Sequence, residues 1–203
     1  MMKNQAPFPH VCGLVFCFFI CSFTAQATTI LELSFEELVA QSQLIFQGNV
    51  ISTDVSEIDG LLYTNVHFAS SELLKGEVEN NEITLRFLGG NEWNAAVSVA
   101  GQYIPAVGDH GIYFVSTSNS NQINPLTGWH QGAFLIETAA NGAASLNLAQ
   151  RPDLVLLNTR ADPLVRKMLD MKFTSEQIRE KFPEALNFPL NDFKDAILAL
   201  VEE

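Results

Sequence analysis

Beyond residue 27 the chain carries three histidines, His67, His110 and His130. Imidazole titrates nearest neutral pH and is the commonest metal-ligating side chain. Three of them could build an open zinc site. Such sites, however, take ligands at short fixed spacings such as H-E-x-x-H, and none of these histidines is paired that way. His67 falls on the polar side of an alternating segment, and the other two lie beside turns. We expect separate surface imidazoles, with no metal and no cofactor. Asp54, Glu57 and Asp59-Gly60 crowd one hairpin. Calcium wants six to eight oxygens, and no glutamate closes this loop at the right distance. A solvated hairpin tip is the expectation.

Nucleophile motifs are missing. There is no G-x-S-x-G turn and no phosphate-cradling glycine loop with a lysine. All three cysteines (Cys12, Cys17, Cys21) fall within residues 11–27. No catalytic residue is assigned, although a serine–histidine pair assembled from distant parts stays open. Trp93, Tyr103 and Trp129 sit in or beside irregular stretches, the last next to His130. Large rings on loops stack sugars or anchor a protein partner. They serve equally as plugs closing the ends of a barrel. If loops bind, the residues are Trp93, Trp129 and His130.

The compartment follows from VCGLVFCFFICSFTAQA, residues 11–27. Its apolar run, Val11 to Phe23, is too short for the ~20 residues that span a bilayer. It has the length of a signal-peptide core. Ala25 and Ala27 place small residues before a cleavage point, so we expect a signal peptide over 1–27 and a mature start at Thr28. Phe18, Phe19 and Ile20 precede Cys21, which excludes a lipid-attachment site. The mature chain is then exported to the periplasm or medium without a membrane anchor. It has no cysteine, so packing rather than disulfides must hold it.

The charge is uneven. The whole chain carries −12, and residues 28–150 hold only Lys75 and Arg86 as cations against thirteen acids. Such a surface repels phosphate backbones, so neither nucleic acid nor anionic lipid is expected as a partner.

The elements that must position these residues read as follows. Ser34 and Glu37 form a capping box with Leu33 and Leu38 as its staple, opening a short helix that ends near Gln41 or Ser42. In LIFQGNVISTDV, Leu44, Phe46 and Val50 share a face, and Gly48 marks a bulge or bend. Asp59-Gly60 turns the chain into an alternating strand over 62–69. Ile83, Leu85 and Phe87 make a third strand, and Ala96 to Ala100 a short one. Gly111 to Ser116 is a short apolar run with Ile, Tyr, Phe and Val and belongs at the centre of a sheet. Asn141-Gly142 joins two further strands, 133–138 and 144–148. The tail reads as helices: one capped by Asp162 with Pro163 in its first turn, one opened by Thr174 and stopped by Pro183, and a last one over 192–202. Each is too short to stand alone, so the tail packs on the sheet. The division is thus a signal peptide (1–27), a β-barrel domain with an N-terminal helix (28–150) and a helical extension (151–203).

The run LIFQGNVIS, YTNVHF, LLKG, ITLRFLGG, VGDHGIYFVS and GWHQGAFLI resembles a group of uncharacterised exported bacterial proteins. In that group "adlIv.G.V" leads to "yT.v.F.v...lKG", "vtl..pGG" and "vGd...lFl". The match spans about residues 31 to 136. More distantly the strand order resembles the five-stranded Greek-key barrel of the oligonucleotide/oligosaccharide-binding fold and of the netrin-like module of tissue metalloproteinase inhibitors. The resemblance implies a mainly β (α+β) fold: an OB-like barrel, closed or nearly so, with a short N-terminal helix and C-terminal helices packed on it. The inhibitors act through an N-terminal cysteine, and Thr28-Thr29-Ile30 stands in its place, so their zinc-chelating route is not carried over. The expectation is a non-enzymatic exported module that binds a protein or a glycan. The alternatives are a hydrolase with an unrecognised site and a protease inhibitor acting by loop insertion.

Overall fold

A computed structural model of the chain describes residues 32–79, 82–92, 95–117, 122–147 and 187–202. The expected signal peptide, Trp93 and the two helices expected between Asp162 and Pro183 lie outside them. The first element opens as its capping box requires. The Ser34 hydroxyl accepts the Glu37 amide at 3.1 Å, and the Glu37 carboxylate accepts the Ser34 amide at 2.9 Å. Helix α1 (Phe35–Gln41) follows, burying Phe35, Leu38 and Val39. The Lys75 ammonium donates to the Val39 carbonyl at 2.7 Å, a cation on carbonyls that the helix end leaves unpaired.

Strands β1 (Leu44–Ile58) and β2 (Leu61–Lys75) form a long hairpin. Asp59 (φ 52°) and Gly60 (φ 78°) make its two-residue turn, both in the left-handed region that matches strand twist. Then come β3 (Glu82–Leu88) and a small ribbon of β4 (Gly90–Glu92) and β5 (Ala95–Val97). β6 (His110–Val115), β7 (Ala133–Thr138), β8 (Ala144–Asn147), β9 (Asn187–Pro189) and helix α2 (Leu190–Val201) complete the order. Seven strands form one antiparallel sheet in the order β3-β2-β1-β6-β7-β8-β9.

The ladder to β2 shifts register between Gln47 and Gly48, where an irregularity is expected. A Cβ on Gly48 would stand 3.0 Å from the Ala69 carbonyl and 3.1 Å from the Phe46 ring. Leu74 and Ser71 on β2 and Ile51 on β1 are the unpaired residues of successive register shifts. The shift at Ile51 changes the parity of β1. Leu44, Phe46 and Val50 face one core, whereas past the bulge Ser52 and Asp54 pair with His67 and Asn65 on the opposite face.

The sheet buries both faces. On one, α1 and α2 cover Ile45, Leu74, Ile112, Phe114 and Phe134. On the other, Phe46, Val66, Phe68, Ile83, Leu85, Phe87, Tyr113 and Leu126 pack together. β6 serves both, sending Ile112 and Phe114 one way and Tyr113 and Val115 the other. That is why its sequence is apolar without alternation.

One expectation is corrected. The described sheet is open, not a closed barrel. After β6 the chain does not come back to β3. β7 pairs with β6, and β8 and β9 extend the sheet further, leaving β3 and β9 as its edges. The second core does not need ring closure. Leu126 and the half-buried Val78, Tyr103 and Ile104 cover it instead. The last helix does pack on the sheet as expected. It begins two residues early, at Leu190, and Phe193 and Ile197 are fully buried. Among the described helices none is long and apolar enough to cross a membrane.

Candidate functional site

The turn that carries Trp129 and His130 is assembled from buried polar groups. The chain comes back antiparallel to the end of β6, bridging Leu126 to Val115. The Thr127 amide donates to the Phe114 carbonyl at 2.9 Å, and the Trp129 amide to the Leu126 carbonyl at 3.1 Å. A single 3₁₀ turn, Trp129–Gly132, leads into β7. The Ser42 hydroxyl donates to the Leu38 carbonyl at 2.7 Å and lies 2.8 Å from the Thr127 hydroxyl. Since the Ser42 proton is used, Thr127 donates to Ser42. The Gln131 side-chain oxygen accepts the Leu33 amide at 2.9 Å. Thr127, Gln131 and Ser42 are all buried, so the turn is fastened to α1 on one side and β6 on the other.

Two residues of this turn are left-handed, Gly128 and Trp129, both at φ 61°. Glycine takes that conformation freely, whereas a residue with a Cβ loses roughly 1–2 kcal/mol. Strain of this kind persists only where the surroundings over-determine it, and here the flanking hydrogen bonds do. The outcome is a half-exposed Trp129 beside an exposed His130. Tyr103 has a different position. Its hydroxyl donates to Asp109 at 2.7 Å and its ring packs on the second core. Burial, then the bond to Asp109, raises the Tyr103 pKa far above the phenol range. Its ring covers the second core and does not stand free on a loop.

His67 stands apart from the other histidines and is partnered on the sheet surface. Its Nε2 donates to the Asp54 carboxylate at 2.5 Å, and its Nδ1 lies 2.9 Å from the Thr84 hydroxyl. Asn65 donates to the other Asp54 oxygen at 2.7 Å and to Ser56 at 3.0 Å, and accepts from Arg86 at 3.3 Å. The bonds from His67 and then Asn65 hold the Asp54 carboxyl below its usual range. Asp54, Glu57 and Asp59 are exposed as expected of this hairpin, and Asp54 in addition belongs to a polar row across β1, β2 and β3. The Ile51 bulge creates this row by turning Asp54 outward, and the alternation of side chains alone could not have shown it. Among the described residues no three His, Cys, Asp or Glu side chains converge as a metal would need.

His110 is likewise half-buried and partnered. The Gln47 amide nitrogen lies 2.9 Å from its Nε2. An amide nitrogen only donates, so His110 accepts there and is neutral. The Gln47 oxygen accepts from Lys194 at 3.4 Å, and Lys194 pairs with Glu72 at 2.7 Å. Burial lowers the His110 pKa. A lowered folded value means the unfolded chain binds the proton more readily. The stabilisation is whole above the ordinary value, 6.5, and is lost as pH falls below it. Thermal melts from pH 7.5 down to 5 should show a falling midpoint, and His110→Asn should flatten that fall. Asp54, with its depressed value, keeps its contribution through this window.

The structure thus sets Trp129 and His130 side by side on one anchored turn, whereas Trp93 lies outside the described residues. Comparison with family models, with characterised proteins and with solved structures finds no match for this chain.

Proposed function

We propose that the chain is a non-enzymatic exported module that binds a protein or a glycan through the turn bearing Trp129 and His130. One observation carries the reading: a tryptophan held left-handed and half-exposed on a turn that Thr127 and Gln131 fasten from either side. Aromatic rings with low conformational freedom make good anchors for sugars and for partner surfaces. We also read the sheet as an opened relative of the OB-like Greek key. The spatial order β6-β1-β2-β3, a fourth strand returning beside the first of three, supports this.

The test screens the mature protein, beginning at Thr28, on an array of bacterial glycans and against periplasmic extract. Hits are then compared with Trp129→Ala/His130→Ala. We expect the double variant to lose capture more than tenfold while its melting midpoint moves by only a few degrees. Retained capture would remove the turn from the binding surface.

A second reading has its own observation. Asp54, His67 and Thr84 form the carboxylate–imidazole–hydroxyl order that activates nucleophiles. Against it, the Asp54 and His67 side chains are 57% and 34% exposed, whereas acyl transfer draws its largest rate term from a water-excluded site. A panel of activated esters assayed with the wild type and Thr84→Ala decides. Turnover lost in the variant would favour the hydrolase.

A further inference from the structure

Glu72, Gln47 and His110 form a polar line across β2, β1 and β6, on the face that the helices cover. Gln47 stands opposite Glu72 on β2 and opposite Ile112 on β6, and Asn49 stands opposite His110. Ile45, Leu74 and Ile112 of the same face belong to the core under α1 and α2, so the line borders that core. Lys194 reaches it from α2, directly after the buried Phe193. Its ammonium donates to the Glu72 carboxylate at 2.7 Å and to the Gln47 oxygen at 3.4 Å. Gln47, His110 and Lys194 are all half-buried.

The carboxamide in the middle can point only one way. An ammonium only donates, so Lys194 requires the Gln47 oxygen. The Gln47 nitrogen then faces His110 Nε2 at 2.9 Å and needs a lone pair there. His110 supplies one only as a neutral ring with its proton on Nδ1. Once protonated, both ring nitrogens carry hydrogen, and turning the ring finds no acceptor. The amide must then turn over, giving its oxygen to His110 and its N–H groups to Lys194, where donor meets donor. One carboxamide therefore serves a protonated His110 or Lys194, never both.

The other described charges around this line are turned elsewhere. Asp109 alternates to the opposite face, where its carboxylate accepts the Tyr103 hydroxyl at 2.7 Å and the Ala106 amide at 2.9 Å. β7 sets Leu135 opposite Gly111; Ile136, next to it, packs on the helix-covered core, so Glu137 alternates away. Lys75 is drawn to the end of α1. On α2, Asp195 is exposed and Asp192 lies about 200° around the helix from Lys194.

We propose that Gln47 couples the protonation of His110 to the seating of α2: a proton on His110 turns the amide over and withdraws it from Lys194, leaving Glu72 as the polar tether of the helix. Burial, which lowers the His110 pKa, places this exchange on the acid side of the ordinary histidine range. The coupling is reciprocal, so whatever protonation does to the Lys194 contact, that contact does to protonation. It stands independently of the Trp129 turn.

The histidine ring resonances of the mature protein, followed by NMR from about pH 8 to about pH 4.5, report the protonation directly. Lys194→Met frees the amide to turn, so His110 should protonate about threefold more readily, while His67 and His130 keep their midpoints. Removing a cation also favours protonation by charge alone. The same replacement is therefore repeated on Gln47→Met, which has no amide to share, and there most of the shift should vanish, as a double-mutant cycle of coupled sites requires. In the wild type the side-chain amide resonances of Gln47 should titrate with the His110 midpoint, a readout that needs no variant. Circular dichroism melts show that each variant is folded. A Lys194→Met shift that persists undiminished on Gln47→Met would overturn the proposal. So would the absence of any shift, or Gln47 amide resonances that stay constant while His110 titrates.

Discussion

Replacing Phe193 with alanine should lower stability by about 3–5 kcal/mol, the range for removing a buried aromatic ring. For a chain of this size that corresponds to a fall in the melting midpoint of about 10 °C or more. Phe193 comes from α2, near the end of the sequence, yet it is fully buried. Its ring centre lies 5.0 Å from that of Phe134, 5.3 Å from Phe35, 5.6 Å from Phe188 and 6.5 Å from Phe114. These rings come from α1, β6, β7 and β9, so one residue joins both ends of the described chain to the centre of the sheet. The edge-to-face and tilted arrangements suit the charge distribution of aromatic rings. Leu198, on the exposed face of the same helix, is the control, and Leu198→Ala should move the midpoint by no more than about 2 °C. Equal small effects at both positions would mean that α2 is an appendage.

The second large effect is expected at Gly132. A Cβ there would stand 2.6 Å from the Thr127 carbonyl and 2.8 Å from the Phe114 carbonyl. Both atoms are backbone, and both belong to the strand and turn that hold Trp129 in place. No rotamer change relieves such a contact, so the turn must move. Gly132→Val should lose about 1–3 kcal/mol, the usual range for overpacking. Because the displaced segment carries Trp129, the tryptophan emission should also shift to the red as the ring becomes more exposed. Gly142→Val makes the contrast. A Cβ there meets nothing within 4 Å, and only its positive φ (82°) resists the change, so destabilisation without an emission shift is expected.

The local signals in the sequence were legible wherever chemistry acts over a few residues. Ser34 and Glu37 cap each other, Asp59-Gly60 turns the hairpin, Asn141-Gly142 joins β7 to β8, and Ile112 to Val115 lie between two cores. What the sequence did not disclose depends on pairing at a distance. Whether β7 returns to β3 or continues beyond β6 is decided by which surface covers the second core, and Leu126 and Tyr103 reach it from loops. β9 was missed because Asn187-Phe188-Pro189 is too short to alternate and ends in a residue with no amide proton. The site was half legible. Trp129 and His130 stood out as large polar-tipped groups beside a turn, and the structure puts them on a fastened 3₁₀ segment. The union of Asp54, His67 and Thr84 was invisible because the extra residue at Ile51 shifts the strand's parity.

The binding reading is tested most directly on Trp129 itself. Trp93→Phe leaves Trp129 as the lone tryptophan of the chain. Its emission would be followed while the strongest hit from the glycan array or the periplasmic screen is titrated in, with binding measured in parallel by calorimetry. A saturable change in emission with the calorimetric midpoint is the expected result. Heat of binding that saturates while the emission stays flat would place the contact elsewhere and contradict the assignment of this turn.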